Sequence, residues 1–229
     1  VKRFLSFFGM VVLVTLFSCD TSDESSLDTD KRYFPVRKGL FQIYDVERTV
    51  YTFQVPETFM YELKTVVVDS FLNQEGYYTY VIHRSTRPDA QSAWQYVDTW
   101  SVRDANAETV VGEENLLLVK LKYPASSGLS WDGNTYNIAG EDEYQIDSKH
   151  SPLTLNGVTF DNCLSVNQND NEDFIVFLDQ RKEVYAKDVG LVYKDSTWLK
   201  YCTDVSCLGQ QKVEEGVIYK QTIKSYGVE

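Results

Sequence analysis

The sequence predicts an all-β fold: an antiparallel meander that makes a strongly curved sheet, half-barrel or sandwich, with minimal helix. Three observations carry this. Apolar residues recur with period two in segment after segment, which is the pattern of strands with one wet face. Turn residues punctuate the segments, and no stretch shows a sustained apolar stripe of period 3.6 with caps.

The strands follow in order. Segments 40–46, 49–55, 61–70 and 77–84 lead, with Asn73-Gln-Glu-Gly76 closing a hairpin. In 94–103, Trp94, Tyr96, Trp100 and Val102 alternate with Gln95, Thr99, Ser101 and Arg103. Segment 115–123 sets Leu117, Val119, Leu121 and Tyr123 against Lys120 and Lys122. Shorter strands are expected at 143–146, 153–155, 158–166, 174–178 and 183–187, then 191–201 and 216–225. Asn156-Gly157 is the sharpest hairpin signal, since both residues tolerate the positive φ of a type I′ turn. A short turn after Pro88, at 87–93, is the one helical candidate. Residues 123–152, with Pro124, Gly128, Gly133 and Gly140, are long for a connection and are expected to pack as their own loop or to serve function.

Ahead of these strands stands an address. Lys2 and Arg3 precede an apolar run at 4–17 that is too short to span a bilayer, which takes about 20 apolar residues. It ends in Leu16-Phe17-Ser18-Cys19, which resembles a bacterial lipobox. The division expected is a signal peptide at 1–18, a lipidated Cys19 with an acidic flexible tether to residue 32, and one domain at 33–229. The alternative, an uncleaved anchor helix, fits poorly with Asp20, Asp23, Glu24, Asp28 and Asp30 just behind it. Such an acidic start is similar to the signal that sends Bacteroidota lipoproteins to the outer face of the outer membrane, so a lipid anchor in the outer membrane is expected, with either face of that membrane open and the resemblance leaning to the cell surface.

Composition excludes partners as well as suggesting them. Cleavage before Cys19 would move the net charge from −12 to about −14 by removing Lys2 and Arg3. No basic footprint for nucleic acid exists. Of the cysteines beyond Cys19, Cys202 and Cys207 are close enough to close a disulfide-pinned loop, as suits an oxidising compartment, while Cys163 reads as a small buried hydrophobe.

Function is less legible. His83 and His150 have no nucleophile context, and no Gly-rich loop cradles phosphate. A carboxylate-dependent hydrolase needs two facing acids. Glu183 and Asp98 are the pair to inspect, against the reading that they are ordinary strand carboxylates. Asn169, Asp170, Glu172 and Asp173 lie in an oxygen-rich run that reads as an ordinary turn, with a calcium loop as the alternative. No cofactor is expected. Aromatic residues make up 14% of the chain, tyrosine leading with 16. Trp94, Tyr96, Trp100 and Trp131 are the candidates to line a site for a glycan or apolar ligand, against the reading that strand aromatics fill the core.

Three stretches carry a resemblance: Tyr33-Phe-Pro-Val-Arg-Lys-Gly-Leu-Phe-Gln-Ile-Tyr-Asp-Val46, Tyr185-Ala-Lys-Asp-Val-Gly-Leu-Val-Tyr-Lys194 and Ile223-Lys-Ser-Tyr-Gly227. They look like uncharacterised Bacteroidota envelope lipoproteins, with Phe41 in place of the usual Trp and Asp188 in place of the usual Gly. That resemblance implies a β-rich lipoprotein domain and brings no catalytic residues. The functional expectation is a membrane-anchored, non-enzymatic binding module. The alternative is an accessory or structural lipoprotein that binds another envelope protein.

Overall fold

Antiparallel pairing joins each strand to the next along almost the whole chain, and then joins the last strand to the first. The computed structural model describes residues 26–173 and 175–229, so the expected signal peptide and the expected lipidation site, Cys19, lie outside the described residues. Among the described residues one short helix, α1 (Ser26–Lys31), precedes twelve strands. These are β1 (Leu40–Thr52), β2 (Val55–Leu72), β3 (Tyr78–Arg87), β4 (Gln95–Asp104), β5 (Glu108–Glu113), β6 (Leu116–Lys122), β7 (Ser130–Asp132), β8 (Glu143–Leu155), β9 (Val158–Asp173), β10 (Phe177–Ala186), β11 (Gly190–Tyr201) and β12 (Val213–Val228). Their order across the sheet is β6-β5-β4-β3-β2-β1-β12-β11-β10-β9-β8-β7. Only β6 and β7 are neighbours in sequence without pairing as strands. The sheet is therefore a barrel, closed everywhere except at the seam between those two edges.

The seam is covered rather than left open. Val119 donates its N–H to the Gly133 carbonyl at 2.9 Å, the Trp131 indole donates back to the Val119 carbonyl at 2.7 Å, and Asn137 Nδ2 donates to the Leu117 carbonyl at 3.0 Å. Unpaired edge groups invite association, and these contacts occupy them. Gly133 is required here: a Cβ would lie 2.5 Å from the Tyr144 ring.

Several expected boundaries shift for identifiable reasons. The segments 40–46 and 49–55 are one strand, and the turn falls at Phe53 and Gln54, both at positive φ and neither a residue that signals it. β8 unites 143–146 with 153–155, running past Pro152 with three register shifts that bend it. β5 and β7 have no counterpart among the expected strands. Residues 26–31, expected within a flexible tether that reaches residue 32, form α1, and α1 docks on the barrel. Asp30 is buried, pairs with Lys149 Nζ at 2.6 Å and accepts the Ala125 N–H at 2.7 Å. Residues 87–93 form no helix but a turn closed by Asp89, which accepts from the Gln91 and Ser92 amides.

Two apolar clusters fill the structure. One gathers Tyr33, Val110, Val119, Leu121, Trp131, Tyr144, Ile146, Leu164, Val166 and Tyr185, and so ties the seam to β8–β10. The other gathers Tyr44, Val46, Leu63, Phe160, Cys163, Val184, Val192 and Ile223.

Candidate functional site

Directly paired residues of neighbouring strands share a face, so the register identifies what each face carries. One row runs Ile146, Val166, Glu183, Lys194, Gln221, Val46, Tyr61 across β8, β9, β10, β11, β12, β1 and β2. This is the inner face, for Glu183 in its middle meets Lys120 from β6, at the far edge of the sheet order.

Inside, the charges are matched. Lys120 Nζ lies 2.8 Å from Glu183 Oε1 and 3.0 Å from Glu113 Oε1, and Lys194 Nζ is 3.2 Å from Glu183. Tyr185 donates its hydroxyl to Glu183 Oε2. Glu183 is 1% exposed. Burial alone would raise its pKa, but Lys120 and Lys194 outweigh that and hold it down at about 2. Burial and Glu183 together push the Tyr185 phenol far up. Next to this cluster, Arg84 bonds Asp98 at 2.7 Å and its guanidinium stacks 3.7 Å over Trp100. The cavity remaining among these side chains is only about 90 Å³.

The opposite face of β8–β11 is different. Its rows are Ser148, Ser165, Val184 and Tyr193; then Asn167, Lys182 and Asp195; then Asp170, Gln180 and Thr197. They floor a groove of about 940 Å³, walled by Pro152, Leu153 and Leu155 of the bent β8. Within a row, neighbouring strands offer hydroxyls and amides about 4.8 Å apart across the sheet. Tyr193 donates to Asp195 at 2.8 Å, Gln180 to Asp170 at 2.9 Å, and Lys182 reaches Asp147 at 3.4 Å. The Ser165 hydroxyl, buried in the floor, has no hydrogen-bond partner among the described residues. Burial pushes the Cys163 thiol up to about 11, so it lines the groove as a neutral, unreactive group.

The expected aromatic face does not form. A bulge between Arg84 and Ser85 in the β3–β4 register places Asp98 opposite Arg84 but Tyr96 opposite Ser85, so Val97 is the extra residue and the alternation reverses there. Trp100 points inward, while Tyr96 is 61% exposed on the outside, edge-on to His83 at 5.5 Å. Trp94 precedes β4 and lies under the Arg87 guanidinium at 4.2 Å. Trp131 is 5% exposed and belongs to the seam.

Glu183 and Asp98 both face inward, but each is neutralised by its own cation. Glu183, held ionised, cannot act as a general acid. Asn169, Asp170, Glu172 and Asp173 extend β9 instead of forming a loop, so their side chains alternate between faces and do not converge. Asn169 bonds Asp179, and Asp173 caps the turn by accepting from the Ile175 and Val176 amides. Among the described residues none of Asp170, Glu172 and Asp173 belongs to a set of three close ligating groups. Cys202 and Cys207 are joined as a disulfide, with Cα atoms 5.9 Å apart, and pin the β11–β12 loop. The groove was missed at the sequence level, although its polar alternation, Asn167, Asn169, Gln180 and Lys182, stands in the chain.

Neither the known protein families nor the curated proteins give a match to this sequence. Among solved structures, it is similar to a Bacteroides fragilis protein described as exported and of YmcC-like fold, at a TM-score of 0.46 and 12% identity, over 85% of this chain and 98% of that one. It is also similar to a Parabacteroides distasonis protein described as a lipoprotein, at a TM-score of 0.44 and 10% identity, over the same shares.

Proposed function

We propose that this chain is an exported lipoprotein, anchored in the outer membrane through Cys19, whose barrel is a non-enzymatic binding module for a neutral, hydroxyl-rich ligand such as a glycan. The observation that carries the ligand class is the groove on β8–β11. Its volume, about 940 Å³, suits a ligand of a few sugar rings. Its rows of amides and hydroxyls supply paired donors and acceptors, and Val184, Leu153 and Leu155 supply apolar contact for sugar C–H faces. Lys182 is matched by Asp147, and Arg181 is held bidentately by Asp142 at 2.8 Å, so among the described residues lining the groove no spare cation selects an acidic ligand.

An apolar ligand inside the barrel is disfavoured by size. The interior cavity of about 90 Å³ holds a few waters, well below the volume of a lipid chain site.

Native mass spectrometry of the protein extracted from its own membrane tests the ligand class: a retained hydroxyl-rich species is expected, and a retained fatty acid or phospholipid in its place would overturn the reading. The anchor is tested separately. Cys19→Ser should abolish labelling by a fatty-acid analogue and release the protein from the membrane fraction, whereas unchanged labelling would refute it.

A further inference from the structure

The end of the barrel opposite α1 is fringed with apolar side chains that face solvent. Phe53 is 88% exposed in the β1–β2 turn, Val205 is fully exposed and Leu208 half-exposed in the disulfide-pinned loop, and Ile175 and Val176 are exposed in the β9–β10 turn. These three turns are neighbours: Gln54 donates its N–H to the Glu214 carbonyl at 2.9 Å, and Tyr201 donates to the Val176 carbonyl at 2.8 Å. Around them stand Glu57, Glu172, Asp173, Asp204, Glu214 and Glu215, against Lys200 and Lys212. Lys200 is already paired with Glu214 and Glu215.

We propose that this end is a docking surface for another envelope protein, one with an apolar centre and a basic rim. An apolar patch with a charged border is the usual form of a protein contact site. The disulfide holds Val205 out on a short closed loop, which lowers the ordering cost of binding. Two other occupants are disfavoured. The acidic rim repels anionic headgroups and equally repels the rim of a second copy. Position also opposes the bilayer, an argument that rests on the Cys19 anchor proposed above. Residues 20–25 reach about 20 Å at most. α1 is fixed at the other end by Asp30, by Lys31 on Asp104 and by Arg32 on Asp188, and β1, 13 residues long, extends roughly 40 Å between the two ends.

The test places a photoreactive amino acid at Phe53, Val205 or, as a control on the barrel wall, the exposed Val97 in the full-length lipidated protein in its own envelope. Illumination should give an adduct with one and the same protein from Phe53 and Val205 and none from Val97. The charge change Val205→Asp should lower the Phe53 adduct at least tenfold without altering thermal unfolding. Adducts with lipid, adducts with a second copy, no adduct, or equal adducts from Val97 would each overturn the proposal. Asn167→Leu in the groove should leave the adduct unchanged, and fractionation of the Cys19→Ser chain reports on the anchor, so failure of the ligand or anchor reading is distinguishable from failure here.

Discussion

Lys120 on β6 and Glu183 on β10 meet at 2.8 Å across the barrel interior, joining strands eight places apart in the sheet order. The contact exists only because the sheet closes, so it ties electrostatics to topology. Buried ion pairs are costly to assemble and costlier to break, because the surviving charge is left without a partner.

Glu183→Gln should therefore destabilise the protein by about 3–5 kcal/mol at neutral pH. The pH dependence has a definite sign. Glu183 titrates near 4.5 when unfolded and at about 2 when folded, so its stabilisation is present above pH 4.5 and is lost as pH falls toward 2. The difference in melting temperature between wild type and variant should shrink between pH 5 and pH 2, and a constant difference would contradict the account.

Trp131, buried in the seam, and Trp100, half-buried on the inner face, should respond differently. Trp131→Phe keeps a ring but removes the donor to the Val119 carbonyl; a loss of about 1–3 kcal/mol is expected, with faster hydrogen exchange at the Val119 amide. Trp100→Ala empties the space beneath Arg84 and should cost about 3 kcal/mol, a fall in melting temperature of roughly 6 °C or more. An unchanged melting temperature would return Trp100 to the list of surface ligand contacts.

The fold class, the antiparallel meander and several turns were legible because they depend on local chemistry, whereas the choice between barrel and sandwich was not. Asn156 and Gly157 adopt the positive φ that both residue types tolerate, and alternation in β6 sets the buried Val119 and Leu121 on the face opposite Lys120. What failed was set by distant partners. The Val97 bulge reverses the faces of Tyr96 and Trp100 without any residue signalling it. Phe53 and Gln54 turn because their strands are paired on both sides, and Glu108–Glu113 is too short and too interrupted by Gly112 to stand out as a strand. Asp30 looks like tether until Lys149 and the Ala125 amide are brought to it. The groove is the same case: Asn167, Lys182 and Asp195 are separated in sequence, and only the β9–β10–β11 register makes them one row.

The Cys202–Cys207 bond closes a short loop, for which chain entropy predicts a contribution of about 2 kcal/mol. Cys202→Ser paired with Cys207→Ser should lower the melting temperature by roughly 4–8 °C. Non-reducing peptide mapping of the native protein should recover the two cysteines in one linked fragment; recovery of both as free thiols would contradict the pairing.

The groove decides the functional account, and a titration against a panel of neutral oligosaccharides measures it directly. Wild type should bind at least one of them, and the double variant Asn167→Leu, Thr197→Val, which removes two polar groups of the groove floor, should bind it at least tenfold more weakly, as expected for about 1 kcal/mol per lost hydrogen bond. Its melting temperature should stay within about 3 °C of wild type, since surface substitutions change stability by about 0.5 kcal/mol. Equal binding by the double variant, or binding of anionic or apolar ligands alone, would contradict the account.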